Sequence, residues 1–180
     1  MIKKLPIKTL LSITLLSSIF LISEEMIIGK EKIMPGIDLV FEAAPKDTIL
    51  PEGSYLLEKE TNIHIEMLAN WSSEAPEGAP QGGFVPYLKV SMIIKSGSGK
   101  ELKVDLTPHL NLTDNLHYAQ NIKLPGSIDD AYEIIFKISP PENNLGIHFD
   151  WNEAIGSYTN TSKFTYKDLN FKNISLATRR

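Results

Sequence analysis

The residues of this chain best suited to chemistry are its four histidines and one nearby carboxylate. The histidines are His64, His109, His117 and His148, and Glu66 follows His64 after a single residue. Imidazole nitrogens suit zinc, copper, iron and nickel, and a carboxylate oxygen can complete such a ligand set. The residue types therefore predict one metal site formed by all five side chains.

The spacing of His64 and Glu66 supports this interpretation. Ile63, Ile65 and Met67 alternate with them, which is typical of a strand and places the histidine and the glutamate on one face, about 6.6 Å apart. The alternative is that the four histidines are unrelated surface and core residues. H-x-E and the eight-residue step from His109 to His117 are loose patterns, so spacing alone leaves this alternative open.

The elements that must position these residues are short strands. Alternating apolar residues predict strands in these ranges: 37–42, 54–68, 84–95, 101–106, 132–139 and 164–173. Residues 109–120 are predicted to be irregular, and the Pro/Gly-rich residues 70–83 to form a long loop. No long amphipathic helix follows the N-terminal region. The pattern predicts an all-β protein, an antiparallel β-sandwich.

The N-terminal region has the layout of a secretory signal. Residues 1–8 are basic, and residues 9–22 form an apolar run that is short for a spanning helix, which needs roughly 20 residues. Residues 1–23 are expected to be a signal peptide or, alternatively, an uncleaved membrane anchor. Residues 24–35 are expected to be a linker, and residues 36–180 the sandwich domain.

Composition excludes several classes of function. The chain has no cysteine, which excludes disulfides, thiolate metal sites and cysteine nucleophiles. Without Lys3, Lys4 and Lys8, the chain carries 15 basic and 22 acidic residues, a net charge of −7. An acidic domain is a poor match for nucleic acid. No phosphate-binding glycine loop and no G-x-S-x-G nucleophile motif is present.

An ordered set of motifs resembles a known family. The motifs are NIHIE, GGFVPYL, TPH, LHYAQNI, YEIIFKIS and LGIHFD. Their order and spacing over about residues 36–172 resemble the periplasmic iron-transport-associated proteins that bind copper. The resemblance implies an immunoglobulin-like antiparallel β-sandwich of about seven to nine strands. It also implies that His64, Glu66, His117 and His148 are metal ligands.

One ligand position departs from the family pattern. The family has a methionine after a proline, seven residues before the H-Y histidine, whereas here Pro108 is followed by His109, eight residues before His117. His109 is interpreted as a replacement for the thioether after a one-residue insertion. Imidazole in place of sulfur lowers the preference for Cu(I) and favours Cu(II) or Zn(II). The glycine of the family's H-Y-G element is Ala119 here.

The resulting expectation is a periplasmic metal-binding protein that supports iron uptake. Its ion is expected to be copper (Cu2+), with zinc or iron as alternatives. The resemblance also implies a homodimer, with metal sites near the subunit interface, that works beside an inner-membrane iron permease. From the N-terminal segment itself, contact with the membrane is expected only through that segment. It is not expected to be an enzyme. The alternatives are a metal-dependent Fe(II) oxidase and a structural, antigen-like sandwich with incidental histidines.

Overall fold

Eight short strands form nearly all of the regular structure. The computed structural model describes residues 25–142 and 145–178. Its strands are β1 Met26–Ile33, β2 Ile37–Pro45, β3 Ile63–Trp71, β4 Lys89–Ser96, β5 Glu101–Leu110, β6 Leu116–Ile122, β7 Tyr132–Ser139 and β8 Ser162–Leu169. Two short helices, α1 Phe149–Ala154 and α2 Lys172–Leu176, complete the described part. The prediction of an all-β fold is confirmed.

The strands form one antiparallel sheet that bends back on itself at β5. The strand order is β1-β2-β3-β6-β5-β4-β7-β8. β5 pairs with β4 up to Leu106 and with β6 from Thr107 onward, so it belongs to both halves of the sheet. The halves face each other across a core in which Phe41 and Phe136 stack at 4.3 Å. The result is a sandwich that is nearly a barrel.

The two faces of β3 show how the fold separates the core from the site. Ile63, Ile65 and Met67 are fully buried in the hydrophobic core. Because side chains alternate along a strand, His64 and Glu66 lie on the opposite face, where they are also buried. That face therefore holds polar groups away from water.

Two expectations about individual segments were wrong. Residues 24–35 are not simply a linker, because Met26–Ile33 pairs with β2 and its apolar side chains pack against the core. Residues 109–120 are not irregular, because β5 continues to Leu110 and β6 begins at Leu116. Pro108 can lie within β5 because β4 stops pairing at Leu106, which leaves this part of β5 with a strand on one side only.

The strand predicted at residues 54–68 also begins at a different residue in the structure. Residues 54–62 are a loop with a short 3-10 turn at Glu58–Glu60, and the strand begins only at Ile63.

The signal or anchor expected at residues 1–23 lies outside the described residues. No helix of the described part is long and apolar enough to cross a membrane.

Candidate metal centre

Three of the four histidines meet on the outer face of the sheet. His64 of β3, His109 of β5 and His117 of β6 each offer one ring nitrogen, and these nitrogens lie within 4.8 Å of one another. The three residues are 4%, 9% and 1% exposed, respectively. Three imidazoles buried at this spacing could bind a single ion.

Strand register explains why these rings converge. His109 lies directly opposite His117 in the β5–β6 ladder, and His64 lies opposite Asn121 on the other side of β6. Ala119 lies midway between Asn121 and His117 on β6. Its methyl group is small, so the rings of His64 and His117 can approach over it to a centroid distance of 6.2 Å. A small residue at this position leaves room for an ion.

The backbone orients the ring of His117. Its Nδ1 lies 3.1 Å from the carbonyl oxygen of Asn115. A carbonyl oxygen can only accept, so Nδ1 carries the proton and Nε2 carries the lone pair. Asn115 adopts a left-handed conformation (φ 61°) in the turn before β6, which asparagine tolerates better than most residues. The turn therefore sets the tautomer that a metal needs.

Asn121 orients the ring of His64 in the same way. Its amide nitrogen donates to the carbonyl oxygens of Asp47 and Leu56, at 2.8 and 3.0 Å. The amide oxygen therefore faces His64, where it accepts a hydrogen bond from Nδ1 at 2.9 Å. This assigns the lone pair to Nε2, which lies 3.5 Å from Oε1 of Glu66.

The environment of His109 keeps its ring neutral. Burial, followed by the neighbouring His117, lowers its pKa to about 4. The ring of Tyr55 packs edge-on against it at 4.9 Å, and Oγ1 of Thr107 lies 3.2 Å from its Nε2. A neutral imidazole is the form that binds a metal, so His109 can act as a ligand over a wide pH range.

A group of three carboxylates adjoins the histidines. Glu25, Glu42 and Glu66 each place a carboxylate oxygen within 4.8 Å of the others. Glu42 lies directly opposite Glu66 in the β2–β3 ladder, and burial, then Glu25 and Asp114, raises its pKa to about 7. Glu66 belongs to this group and also contacts His64, so it joins the two sets of ligands.

The interpretation of the sequence missed Glu25 and Glu42. Glu25 lies in the segment expected to be a linker, and Glu42 ends the predicted strand 37–42, so neither is a predicted ligand. A signal was available for Glu42, which stands between Phe41 and the apolar pair Ala43-Ala44 in a strand that is mostly buried. Its position opposite Glu66, however, depends on the strand pairing, which no local pattern reveals.

His148 does not join the other three histidines within one chain. It is exposed, precedes helix α1 and lines a separate cavity of about 470 Å³ together with Trp71, Trp151 and Tyr158. Trp71 lies seven residues from His64 on β3, which corresponds to about 23 Å along the strand. Of the five residues predicted as ligands, the structure therefore brings together His64, Glu66, His109 and His117.

The ligand atoms of this site suit a divalent metal ion of intermediate hardness. The three rings border a cavity of about 380 Å³, and Glu66 lies beside them. Nitrogen donors with one carboxylate suit Cu(II), Zn(II), Fe(II) and Ni(II), whereas Cu(I) prefers sulfur. The neighbouring carboxylates add negative charge that attracts cations to this face.

Known proteins with similar sequences come from several bacteria. The chain is 30% identical to the UPF0423 protein of Brucella abortus strain 2308 over 128 residues, which is 71% of this chain and 69% of the relative. It is 32% identical to the 34 kDa membrane antigen of Treponema pallidum over 101 residues, covering 54% of this chain and 48% of the antigen.

Solved structures show the same fold. Copper-reconstituted P19 of Campylobacter jejuni is 27% identical, with a TM-score of 0.68 over 80% of this chain and 94% of that chain. FetP of uropathogenic Escherichia coli, at 22% identity, matches in fold with a TM-score of 0.68 over 81% of this chain and 95% of that chain. The family of Fe2+ transport proteins matches residues 22–173, and the chain therefore belongs to this family.

Proposed function

We propose that this protein is a periplasmic metal-binding protein of bacterial iron uptake. In this proposal Cu2+ is held by His64, His109 and His117, with Glu66 as a further ligand. The observation that carries it is the convergence of three buried ring nitrogens within 4.8 Å of one another. Membership of the Fe2+ transport family and the copper-bound state of the similar protein P19 support the proposal.

The ligand set favours Cu2+ over Cu+. Imidazole is a harder ligand than thioether or thiolate sulfur, and none of the four proposed ligand atoms is sulfur. The hydrogen bonds at Nδ1 of His64 and His117 assign the lone pair of each ring to Nε2, which can then act as the ligand atom. Zinc remains a chemical competitor, because the same donors suit it. Bound copper supplies the capacity for one-electron transfer.

We propose that the protein binds metal ions without turning over a substrate. Four protein ligands leave little room for a coordinated substrate or an activated water. We therefore expect the copper-loaded protein to leave the rate of Fe(II) oxidation in air unchanged. Catalytic turnover of Fe(II) by the wild-type protein, lost in a His117→Ala variant, would support the oxidase alternative.

We propose a second copy of the chain as the partner of the surface around His148. This histidine is exposed between Ile147 and Phe149, which are 42% and 74% exposed. The cavity beside the three histidines is in turn bordered by Leu50 and Leu110, which are 72% and 71% exposed. Apolar side chains exposed on two surfaces of one chain can cover each other in a symmetric dimer. We propose a homodimer in which the 147–149 segment of each copy docks near the metal site of the other.

The oligomeric state tests this arrangement. Sedimentation or light scattering should show a dimer for the wild-type protein and a shift toward monomer for Phe149→Ser. A wild-type protein that stays monomeric at high micromolar concentration, with or without copper, would contradict the arrangement.

We further infer that the protein works beside an inner-membrane permease, a location consistent with the expected N-terminal signal.

Elemental analysis provides the direct test of metal binding. Protein purified from the periplasm should contain copper at close to one ion per chain, and added zinc should compete for the same site. The His117→Ala variant should lose this copper while keeping the β-sheet spectrum of the wild type. Wild-type protein that binds neither copper nor zinc would refute the proposal.

A further inference from the structure

One buried amide connects the histidine group to the loop that covers it. Asn121 is 3% exposed and forms three hydrogen bonds of 2.8 to 3.0 Å. Its oxygen accepts from Nδ1 of His64, and its nitrogen donates to the carbonyl oxygens of Asp47 and Leu56. A single side chain thus joins a metal-site imidazole to both ends of residues 47–56, the covering segment.

The covering segment forms a wall of the cavity beside the histidines. Thr48, Ile49 and Leu50 line this cavity, and so does Tyr55, whose ring packs against His109 at 4.9 Å. Leu50 is 72% exposed, so the middle of the segment faces solvent while its ends are tied to Asn121. Movement of the segment away from the sheet would uncover His109 and widen the route for an ion.

We propose that Asn121 is a positioning residue that couples closure of the covering segment to metal occupancy at His64. The inference rests on the proposed function, because it requires an ion at the histidine group. A metal on Nε2 of His64 withdraws electron density from the ring and makes its Nδ1 proton a stronger donor to Asn121. Hydrogen bonds in a chain polarise one another, so the amide then donates more strongly to both segment carbonyls.

The coupling must act in both directions. An ion that strengthens closure of the segment is itself bound more tightly when the segment is closed. Couplings of this kind typically change affinity by about 5- to 150-fold. Loss of the link should therefore remove the effect of the ion on the segment and speed release of the ion. A purely structural role would instead speed exchange by the same factor with and without metal, so that the copper-dependent protection would persist.

Hydrogen exchange of the backbone amides in residues 47–57, which are the covering segment and the residue after it, measures this closure. In the wild-type protein, saturating Cu(II) should slow exchange of these amides. Asn121→Asp keeps an oxygen that can accept from His64 but lacks the two N–H donors to Asp47 and Leu56. In this variant we expect the segment to exchange fast with and without Cu(II), and Cu(II) transfer to a chelator to be at least about fivefold faster. If the aspartate variant does not fold, Asn121→Ser serves the same comparison.

A matched control is available at the other end of β3. Asn70 also donates from its amide nitrogen to a loop carbonyl, that of Gly82, at 2.8 Å. Asn70→Asp makes the same chemical change far from the histidines, and Cu(II) should protect residues 47–57 in this variant as it does in the wild type. A loss of protection there would show that the effect in Asn121→Asp is not specific, and would overturn the inference.

The outcomes separate this inference from the proposed function. Wild-type protein that binds Cu(II) without any change in exchange of residues 47–57 would refute the coupling and leave the metal site intact. Copper-dependent protection that persists in Asn121→Asp would refute it as well. Wild-type protein that binds no Cu(II) would instead refute the proposed function.

Discussion

His109 and His117 lie directly opposite each other across the β5–β6 ladder, with ring centroids 6.0 Å apart. Their spacing of eight residues is therefore that of a hairpin, whose turn begins at Asn111. The side-chain oxygen of Asn111 accepts from the backbone of Thr113 and Asp114 at 3.0 and 2.6 Å. Two ligands are thus held by a backbone ladder and a hydrogen-bonded turn, which orients them before any ion binds.

Removal of His117 should remove most of the metal affinity. His117 is 1% exposed, and one of its ring nitrogens lies within 4.8 Å of those of His64 and His109, so its removal leaves a gap in the nitrogen ligand set. We expect His117→Ala to weaken Cu(II) binding by about 100-fold or more, about 2.7 kcal/mol, measured by competition with a chelator. The matched control is Asn70→Ala, a truncation at the other end of β3, where affinity should be unchanged. Equal losses in the two variants would contradict this ligand assignment.

Replacement of His109 by methionine should change the preferred metal. A thioether is softer than imidazole, so His109→Met should bind Cu(I) more tightly and Zn(II) more weakly than the wild type. We expect each affinity to change by about tenfold, about 1.4 kcal/mol, in titrations with Cu(I)- and Zn(II)-specific indicators. Unchanged affinity for both ions would mean that His109 is not a ligand.

The small side chain of Ala119 should be required for metal binding. Ala119 lies opposite Glu66 and Thr107 and is fully buried between the ligands. Valine suits a strand but adds two methyl groups where the ion should lie, so Ala119→Val should fold and lose Cu(II) binding. Ala119→Gly should retain binding and lose about 0.5–1 kcal/mol of stability. Copper bound by the valine variant with wild-type affinity would place the ion elsewhere.

The raised pKa of Glu42 should make the metal-free protein less stable at high pH. Its carboxyl has a pKa of about 7 in the folded chain, against an ordinary value of 4.5. The folded state therefore holds a proton that the unfolded chain releases, so stability falls as pH rises from about 4.5 to 7 and stays lower above that. Glu42→Gln mimics the protonated form, and it should melt at a higher temperature than the wild type at pH 8.

The same comparison at lower pH provides the control. At pH 4 both states of the wild-type protein hold most of the Glu42 proton, so the difference in melting temperature between the two proteins should become small. The lowered pKa of His109 makes both proteins less stable as pH falls. This effect is equal in the two proteins, so it does not change the difference between their melting temperatures. A melting difference that is independent of pH would mean that Glu42 titrates normally.

Copper should stabilise the folded protein in a concentration-dependent way. An ion at about 100 times its dissociation constant adds about 2.7 kcal/mol if it binds only the folded state. For a domain of this size that corresponds to an increase in melting temperature of about 5–10 °C, which a chelator should reverse. A melting temperature that does not respond to copper or zinc would favour the structural, antigen-like alternative.

The sequence alone determined the fold class and half of the site. Period-2 alternation is a local property, and it correctly indicated a sheet and placed His64 and Glu66 on one face of β3. The ordered motifs correctly indicated the iron-transport family. Local chemistry also identified His109 and His117 as ligand candidates, but it predicted an irregular segment where the structure has a hairpin.

Only the tertiary structure decided which of these residues share a site. Strand register placed Glu42 beside Glu66 and Ala119 beneath the rings, and it tied Asn121 to the covering segment. The loop before helix α1 carries His148 and keeps it apart from the other histidines within one chain. These relationships are set by pairing between strands that are distant in sequence, and a shift of one residue would turn every side chain to the opposite face. No local pattern carries that information, because the register minimises the free energy of the whole sheet and its core.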